Sequence, residues 1–183
     1  MGAVKKRKEI LACVTGSISA YKVCDLVRRL KERNYGVTVL MTEEATRFVS
    51  PLTFKTLTGR AVIKDMFYDQ IGYDPYHIAL AEKADVIVVV PATAHIIAKL
   101  AYGLCDDIIS CVIMATKAKI LIAPAMNDNM YKHKVLQENL RKVKSFGYSV
   151  ISPVRGRLAS GKVGVGHLAK LETILQAIDK SLK

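Results

Sequence analysis

Four short segments pair a residue that lets the backbone come close with one that carries a polar group, and each follows an apolar run. Thr15-Gly16-Ser17-Ile18-Ser19 leads into a helical pattern. Gly16 permits a tight turn, and the hydroxyls of Ser17 and Ser19 stand beside the unpaired N–H groups at the positive end of a helix, an arrangement that cradles phosphate. The same residue types also make an ordinary helix cap. The second and third glycines of GxGxxG are missing, which favours a mononucleotide over a dinucleotide. Met41-Thr42-Glu43-Glu44-Ala45 offers a hydroxyl at the next turn, and by itself Thr42 reads as a plain cap. Pro91 is expected to stop a strand, and Ala92-Thr93-Ala94 behind it are small enough to let the backbone approach something planar or phosphorylated. Asn127, in Pro124-Ala125-Met126-Asn127, can hydrogen-bond a carboxylate through its amide, although a lone Asn there is by type a turn residue. His77 precedes the apolar Ile78-Ala79-Leu80-Ala81 and by itself reads as a packed histidine.

Those segments follow elements that the hydrophobic pattern defines. Residues 9–15 form a buried strand, and 17–33 repeat apolar residues at Ala20, Val23, Cys24, Val27 and Leu30, which is helical spacing. Further strands are expected over 36–41, 84–90, 119–123 and 148–152, with a closing helix over 171–182. Strands that are apolar on both faces, separated by helices, imply a parallel sheet covered on each side: a three-layer, doubly wound α/β fold of the flavodoxin or Rossmann type. In such sheets ligands sit beyond the carboxyl ends of the strands, where these four segments lie.

Composition narrows the classes. The 183 residues make one domain, residues 1–183, headed by a basic tail over residues 1–8. Lys and Arg number 28 against 16 Asp and Glu, a net charge of +12, yet 51% of the residues are hydrophobic, so this is no disordered basic tail. The positive charge is scattered without interleaved aromatics, which speaks for solvated helix faces and against a nucleic-acid reader. The four cysteines show no CxxC or zinc spacing, lie in apolar stretches, and are expected as reduced, buried thiols of a cytoplasmic protein without a metal site. No apolar run reaches the roughly 18 residues of a membrane helix. A disulfide scaffold, a secreted protein and a membrane protein are excluded.

Taken in order, Gly16-Ser17-Ile18-Ser19-Ala20-Tyr21-Lys22, His77-Ile78-Ala79-Leu80-Ala81, Pro91-Ala92-Thr93-Ala94, Gly103-Leu104-Cys105-Asp106-Asp107 and Pro124-Ala125-Met126-Asn127 with Met130 resemble the motifs of the flavin-containing cysteine decarboxylases. The resemblance covers nearly the whole chain and is strongest to the phosphopantothenoylcysteine decarboxylase branch of coenzyme A biosynthesis. It implies bound FMN, a homo-oligomer (a trimer or a dodecamer of trimers) with flavin near the subunit interface, and a phosphorylated, cysteine-containing small molecule as substrate. The resemblance also makes a separate phosphopantothenoylcysteine synthetase one candidate partner, since bacterial members are usually fused to a synthetase domain that these 183 residues do not contain. By resemblance Gly16, Ser17, Ile18, Thr42, Thr93, Ala94 and Ala125 belong to the FMN site. His77 falls on the catalytic histidine and Asn127 on the asparagine that grips the substrate carboxylate. Met130, Ala159 and Gly161 line the substrate.

The chain departs from that pattern in three places. Ser160 stands where the branch carries a cysteine that protonates the enethiolate, and a hydroxyl is a far weaker acid than a thiol. His95 replaces an asparagine, and His167 replaces an arginine. The segment from Gly161 to Gly166 is expected as a mobile lid. Ser160 also suits a second reading by resemblance, a peptidyl-cysteine oxidative decarboxylase that acts on a C-terminal Cys and stops at the enethiol. A flavin prenyltransferase, or a non-catalytic flavin-binding regulatory subunit, fits less well, because His77 and Asn127 are both present.

Overall fold

The computed structural model describes residues 7–66, 76–159 and 161–183. Its main strands are β1 (Glu9–Val14), β2 (Gly36–Met41), β3 (Val86–Ala92), β4 (Lys119–Pro124) and a short β5 (Ser149–Val150). Among the described residues they form one parallel sheet in the order β2-β1-β3-β4-β5. Ile10, Ala12 and Val14 of β1 join Val86, Val88 and Val90 of β3 in one core cluster, while Leu11, Cys13, Ile87 and Val89 enter a second. Burial on both faces is why these strands are apolar at nearly every position.

Helices α1 (Ala20–Glu32), α3 (Pro51–Thr58) and α9 (Leu171–Ser181) cover one face. Helices α4 (Tyr76–Lys83), α5 (Ala94–Tyr102), α6 (Ile108–Ala115) and α8 (Lys134–Ser145) cover the other. Two short helices, α2 (Glu43–Thr46) and α7 (Asp128–Lys132), sit at the carboxyl ends of β2 and β4. The three-layer doubly wound architecture expected from the sequence is the one that forms. No helix among the described residues is long and apolar enough to cross a membrane.

Several local expectations are corrected. The helix expected over 17–33 begins at Ala20, because residues 16–19 make a turn closed by Ser17 N–H to the Thr15 carbonyl (2.8 Å) and Ala20 N–H to that of Ser17 (2.9 Å). Pro91 does not stop β3: the strand continues to Ala92 across a pairing irregularity, where a residue without an N–H is tolerated. The last strand of the sheet keeps only two of its expected residues. Of the cysteines only Cys13 is fully buried, and its thiol is pushed well above the usual range by burial. Cys105 is exposed in the loop before α6, and Cys111 lies partly buried within that helix. Arg7 and Lys8 are tied to the fold, through Arg7 Nε to the Asn34 carbonyl (3.0 Å) and Lys8 Nζ to Asp85 (2.8 Å); residues 1–6 of the expected tail lie outside the described residues.

The expected lid is an antiparallel hairpin of β6 (Val154–Arg157) and β7 (Val163–His167). Its turn closes with Leu158 N–H to the Lys162 carbonyl (2.8 Å) and with Gly161 at φ +80°, a conformation that glycine adopts without strain.

Candidate active site

The sheet order reverses between β1 and β3, so the loops that follow these two strands diverge and leave a crevice at their carboxyl ends. Thr15 locks the two sides together. Its buried Oγ1 donates to the Pro91 carbonyl at 2.7 Å and accepts from the Thr93 N–H at 3.1 Å. Thr93 in turn caps α5, its Oγ1 accepting from the Ile96 N–H at 3.4 Å. Sequence reading did not single out Thr15. The available signal was a hydroxyl closing an otherwise apolar strand.

Two cavities, of about 660 and 610 Å³, open on opposite sides of Gly16, Thr93, Ala94 and Met130, which line both. They are two halves of one cleft. The first half holds Ser17, Ile18, Ala125, Asn127, Ala159 and Gly161. Thr42 lines only the second. The sequence-derived cleft residues therefore converge, with two exceptions. Ser160 lies outside the described residues. His77, on α4, is partly exposed and lines neither half.

Local chemistry explains several of these placements. Ser19 occupies the N-cap of α1 but makes no side-chain cap bond, and the first turn carries no acid. Ser17 Oγ donates to the Ala125 carbonyl (3.3 Å) and accepts from the Ser19 N–H (3.4 Å), and the Ala20 and Lys22 N–H groups turn back to the Ser17 and Ser19 carbonyls, so this helix start is closed in part by its own turn and lacks a side-chain cap at Ser19. A Cβ at Gly16 would lie 2.5 Å from the Cβ of Glu44, so glycine is what lets the β1 and β2 loops touch. Thr42 is the plain cap that its sequence suggests, accepting from Ala45 N–H at 3.3 Å. Asn127 Oδ1 accepts from Asn129 N–H at 2.9 Å, which leaves its NH₂ group as a donor at the rim of the first half. A helix start without a side-chain cap, two serine hydroxyls and a wall of Gly and Ala fit a phosphate attached to a flat ring, the outline of FMN.

The hairpin closes the first half. Val165 N–H donates to Asp128 Oδ1 (2.9 Å), Met126 N–H donates to the Gly166 carbonyl (3.0 Å), and Lys22 Nζ meets His167 Nε2. Burial, and then the charge of Lys22, push His167 below the ordinary imidazole range. In the second half, Lys99 sits 2.7 Å from both Asp106 and Asp107, and Asp107 caps α6. Among the described residues no cluster of His, Cys, Asp or Glu could hold a metal ion.

A family model described as Flavoprotein matches residues 2–183. The chain belongs to the Flavoprotein family. Within this family of flavoproteins it is 43% identical over 173 residues to the coenzyme A biosynthesis bifunctional protein CoaBC of Bacillus subtilis, a match that covers 94% of this chain and 43% of the relative. This chain thus spans less than half the length of that relative. It is 41% identical over 177 residues to a probable phosphopantothenoylcysteine decarboxylase of Streptococcus mutans, covering 96% of this chain and 99% of that one. Among solved flavoproteins, a cysteine-to-serine variant of PPC decarboxylase complexed with pantothenoylaminoethenethiol superposes with a TM-score of 0.85 at 28% identity, over 96% of this chain and 98% of that one. The FMN-dependent cysteine decarboxylase SpaF superposes with a TM-score of 0.84, also at 28% identity, over 99% and 100% of the two chains.

Proposed function

We propose that the protein catalyses FMN-dependent decarboxylation of the cysteine carboxylate of 4'-phospho-N-pantothenoylcysteine, giving 4'-phosphopantetheine. The observation that carries this reading is the 41% identity, running nearly end to end, with the Streptococcus mutans protein. A cysteine carboxylate has nowhere to send the electron pair that departing carbon dioxide leaves behind. Bound FMN would supply the outlet by accepting two electrons from the carbon that bears sulfur, so that a C=S group can take up the pair, and by returning two electrons to the resulting enethiol, which takes up a proton, so that the product is redox-neutral.

The chain's own residues then bind, orient and move protons. The start of α1, with Gly16, Ser17 and Ile18, takes the cofactor phosphate, and Thr42 belongs to the FMN site from the second half of the cleft. Thr93, Ala94 and Ala125 leave room for the flat ring. Asn127 donates from its NH₂ group to the substrate carboxylate, with Met130, Ala159 and Gly161 around the cysteine end. His77 takes and returns the thiol proton, work that suits an imidazole near neutral pH.

Because His77 lines neither half of the cleft, it does this work in a neighbouring copy. Beside it on the packed α4–α6 pair, Ile78 and Met114 are 38% and 56% exposed, an apolar surface that suits contact with a second copy in a homo-oligomer. A phosphopantothenoylcysteine synthetase would supply the substrate.

Ser160 favours one second reading. A serine hydroxyl delivers a proton to an enethiolate poorly, which suits a reaction that ends at the enethiol, as in oxidative decarboxylation of a peptide C-terminal cysteine. One experiment separates the two: incubation of FMN-loaded protein with phosphopantothenoylcysteine, read by mass spectrometry and by the flavin spectrum. Loss of carbon dioxide with the flavin still yellow is the expected result. Loss of carbon dioxide plus two hydrogens, with bleached flavin, supports the oxidative reading. An unchanged substrate mass sinks decarboxylation of this compound.

A further inference from the structure

The two halves of the cleft differ in charge. Lys64, His95 and Lys99 share the second half with Glu43, Glu44 and Asp107. Among the described residues the first half is lined by Lys22, Arg157 and His167, and by no Asp or Glu. Among the described residues neither Lys22 nor Arg157 sits against a carboxylate, whereas Arg29, Arg33 and Lys99 all do.

Instead of a carboxylate, the Lys22 ammonium meets the ring of His167. An ammonium has only donors, so the ring accepts through Nε2. Three elements build this contact. Lys22 lies in the first turns of α1, His167 ends β7, and β6 gives the ring its seat at Gly156, where a Cβ would come within 2.4 Å of His167 Nδ1. Both partners are partly buried. Arg157 reaches the same half from the end of β6. Basic groups gathered on a cleft wall with no acid to answer them leave a positive potential that draws an anion. A phosphate monoester matches it best, since an ammonium and a guanidinium both make charge-assisted hydrogen bonds to phosphate oxygens.

We propose that Lys22 and Arg157 bind the phosphate of the substrate in the first half of the cleft, at the end of the molecule opposite the carboxylate held by Asn127, with His167 as the positioning residue that fixes Lys22. The subsite rests on the decarboxylase reading and deepens it. It selects a phosphorylated small molecule over a peptide C-terminus, whose remote end carries no phosphate.

The test uses the FMN-loaded protein and two substrates, N-pantothenoylcysteine with and without its 4'-phosphate. The phosphate should lower KM by about tenfold or more with little change in kcat, because it binds far from the reacting atoms. Lys22→Met and Arg157→Met should each remove most of that gap by raising KM for the phosphorylated substrate. His167→Leu should do the same, and His167→Gln, whose amide oxygen can still accept from Lys22, should restore it. Flavin absorbance retained on each variant certifies the fold. Turnover of both substrates with equal KM, or variants that raise KM equally for both, overturns the subsite and leaves the decarboxylase reading intact. Turnover of neither substrate overturns that reading, and the subsite falls with it.

Discussion

The carboxylate of Asp128 accepts a hydrogen bond from the backbone N–H of Val165 at 2.9 Å, and so ties the β6–β7 hairpin to the turn that carries Asn127. Two glycines make the approach possible. A Cβ at Gly164 would lie 2.8 Å from the Cβ of Asp128, and one at Gly166 would lie 2.3 Å from the Met126 carbonyl oxygen. The wall that bears Arg157 and His167 is therefore placed by contacts with the wall that bears Asn127.

Asp128→Ala should loosen the hairpin while leaving the sheet intact. Amide exchange at Val165 is expected to speed up on the order of tenfold, with little change in β1 or β3. The pH dependence has a definite sign. Lys132 first, and then the Val165 N–H, hold the Asp128 carboxyl below the usual carboxylate range. The tie is thus fully present above that range and is lost as pH falls through the lowered value. Hydrogen exchange followed by mass spectrometry or NMR checks both points.

Thr15→Val keeps the shape of a residue only 1% exposed but removes its oxygen. The Thr93 N–H and the Pro91 carbonyl both lose their partner. Leaving buried polar groups unpaired costs about 1–3 kcal/mol, so a fall in unfolding free energy of that size is expected, together with weaker FMN binding because the loops at the crevice part. Denaturant unfolding and flavin titration read the two effects separately.

His77→Asn should abolish decarboxylation and leave the protein yellow, and Asn127→Ala should do the same. If the site is shared between copies, unfolding and refolding the two inactive variants together in equal amounts should return about a quarter of the wild-type activity, since some clefts then receive both intact residues. A mixture that stays inactive, in assemblies shown to have exchanged subunits, would place the whole site within one chain.

The ring of His167 should remain neutral at pH 7 and titrate below the ordinary imidazole range, because burial and the Lys22 charge both oppose its protonation. Lys22→Met removes the second cause and should move the midpoint part of the way back, as read from the ring resonances by NMR. The unfolded chain takes up this proton at higher pH than the folded one. Stability should therefore decline as pH falls below the ordinary imidazole value, by an amount that its partial exposure keeps small.

Much of this protein was legible in its sequence because the signals were local. Runs such as ILACV and VIVVV are apolar at every position only if both faces are buried, and that fixes a parallel sheet between two helical layers. The topology then sends the segments at Gly16, Thr42, Thr93 and Asn127 to one rim, and they meet there. The hairpin was hidden because the buried positions of Val-Gly-Val-Gly-His are its glycines and Val163 is exposed, so no large apolar residues at every second position mark a strand. Their pairing is held by glycine clearances and by Asp128, contacts with no periodicity to read. The cysteines misled for a related reason: an apolar neighbourhood in sequence does not bury Cys105 when its loop runs over the surface.

Residue types and spacing by themselves determined the layers, the order of the loops and the chemistry each loop can offer. The tertiary structure alone decided which groups face one another. Thr15 became the clasp between two loops, Lys22 and His167 met from opposite walls, and His77 was left outside the cleft of its own chain. The physical reason is range. Hydrophobic periodicity is set within a few residues, whereas charge and hydrogen-bond pairing depends on side chains more than a hundred positions apart, as Lys22 and His167 are, which only the folded packing brings together.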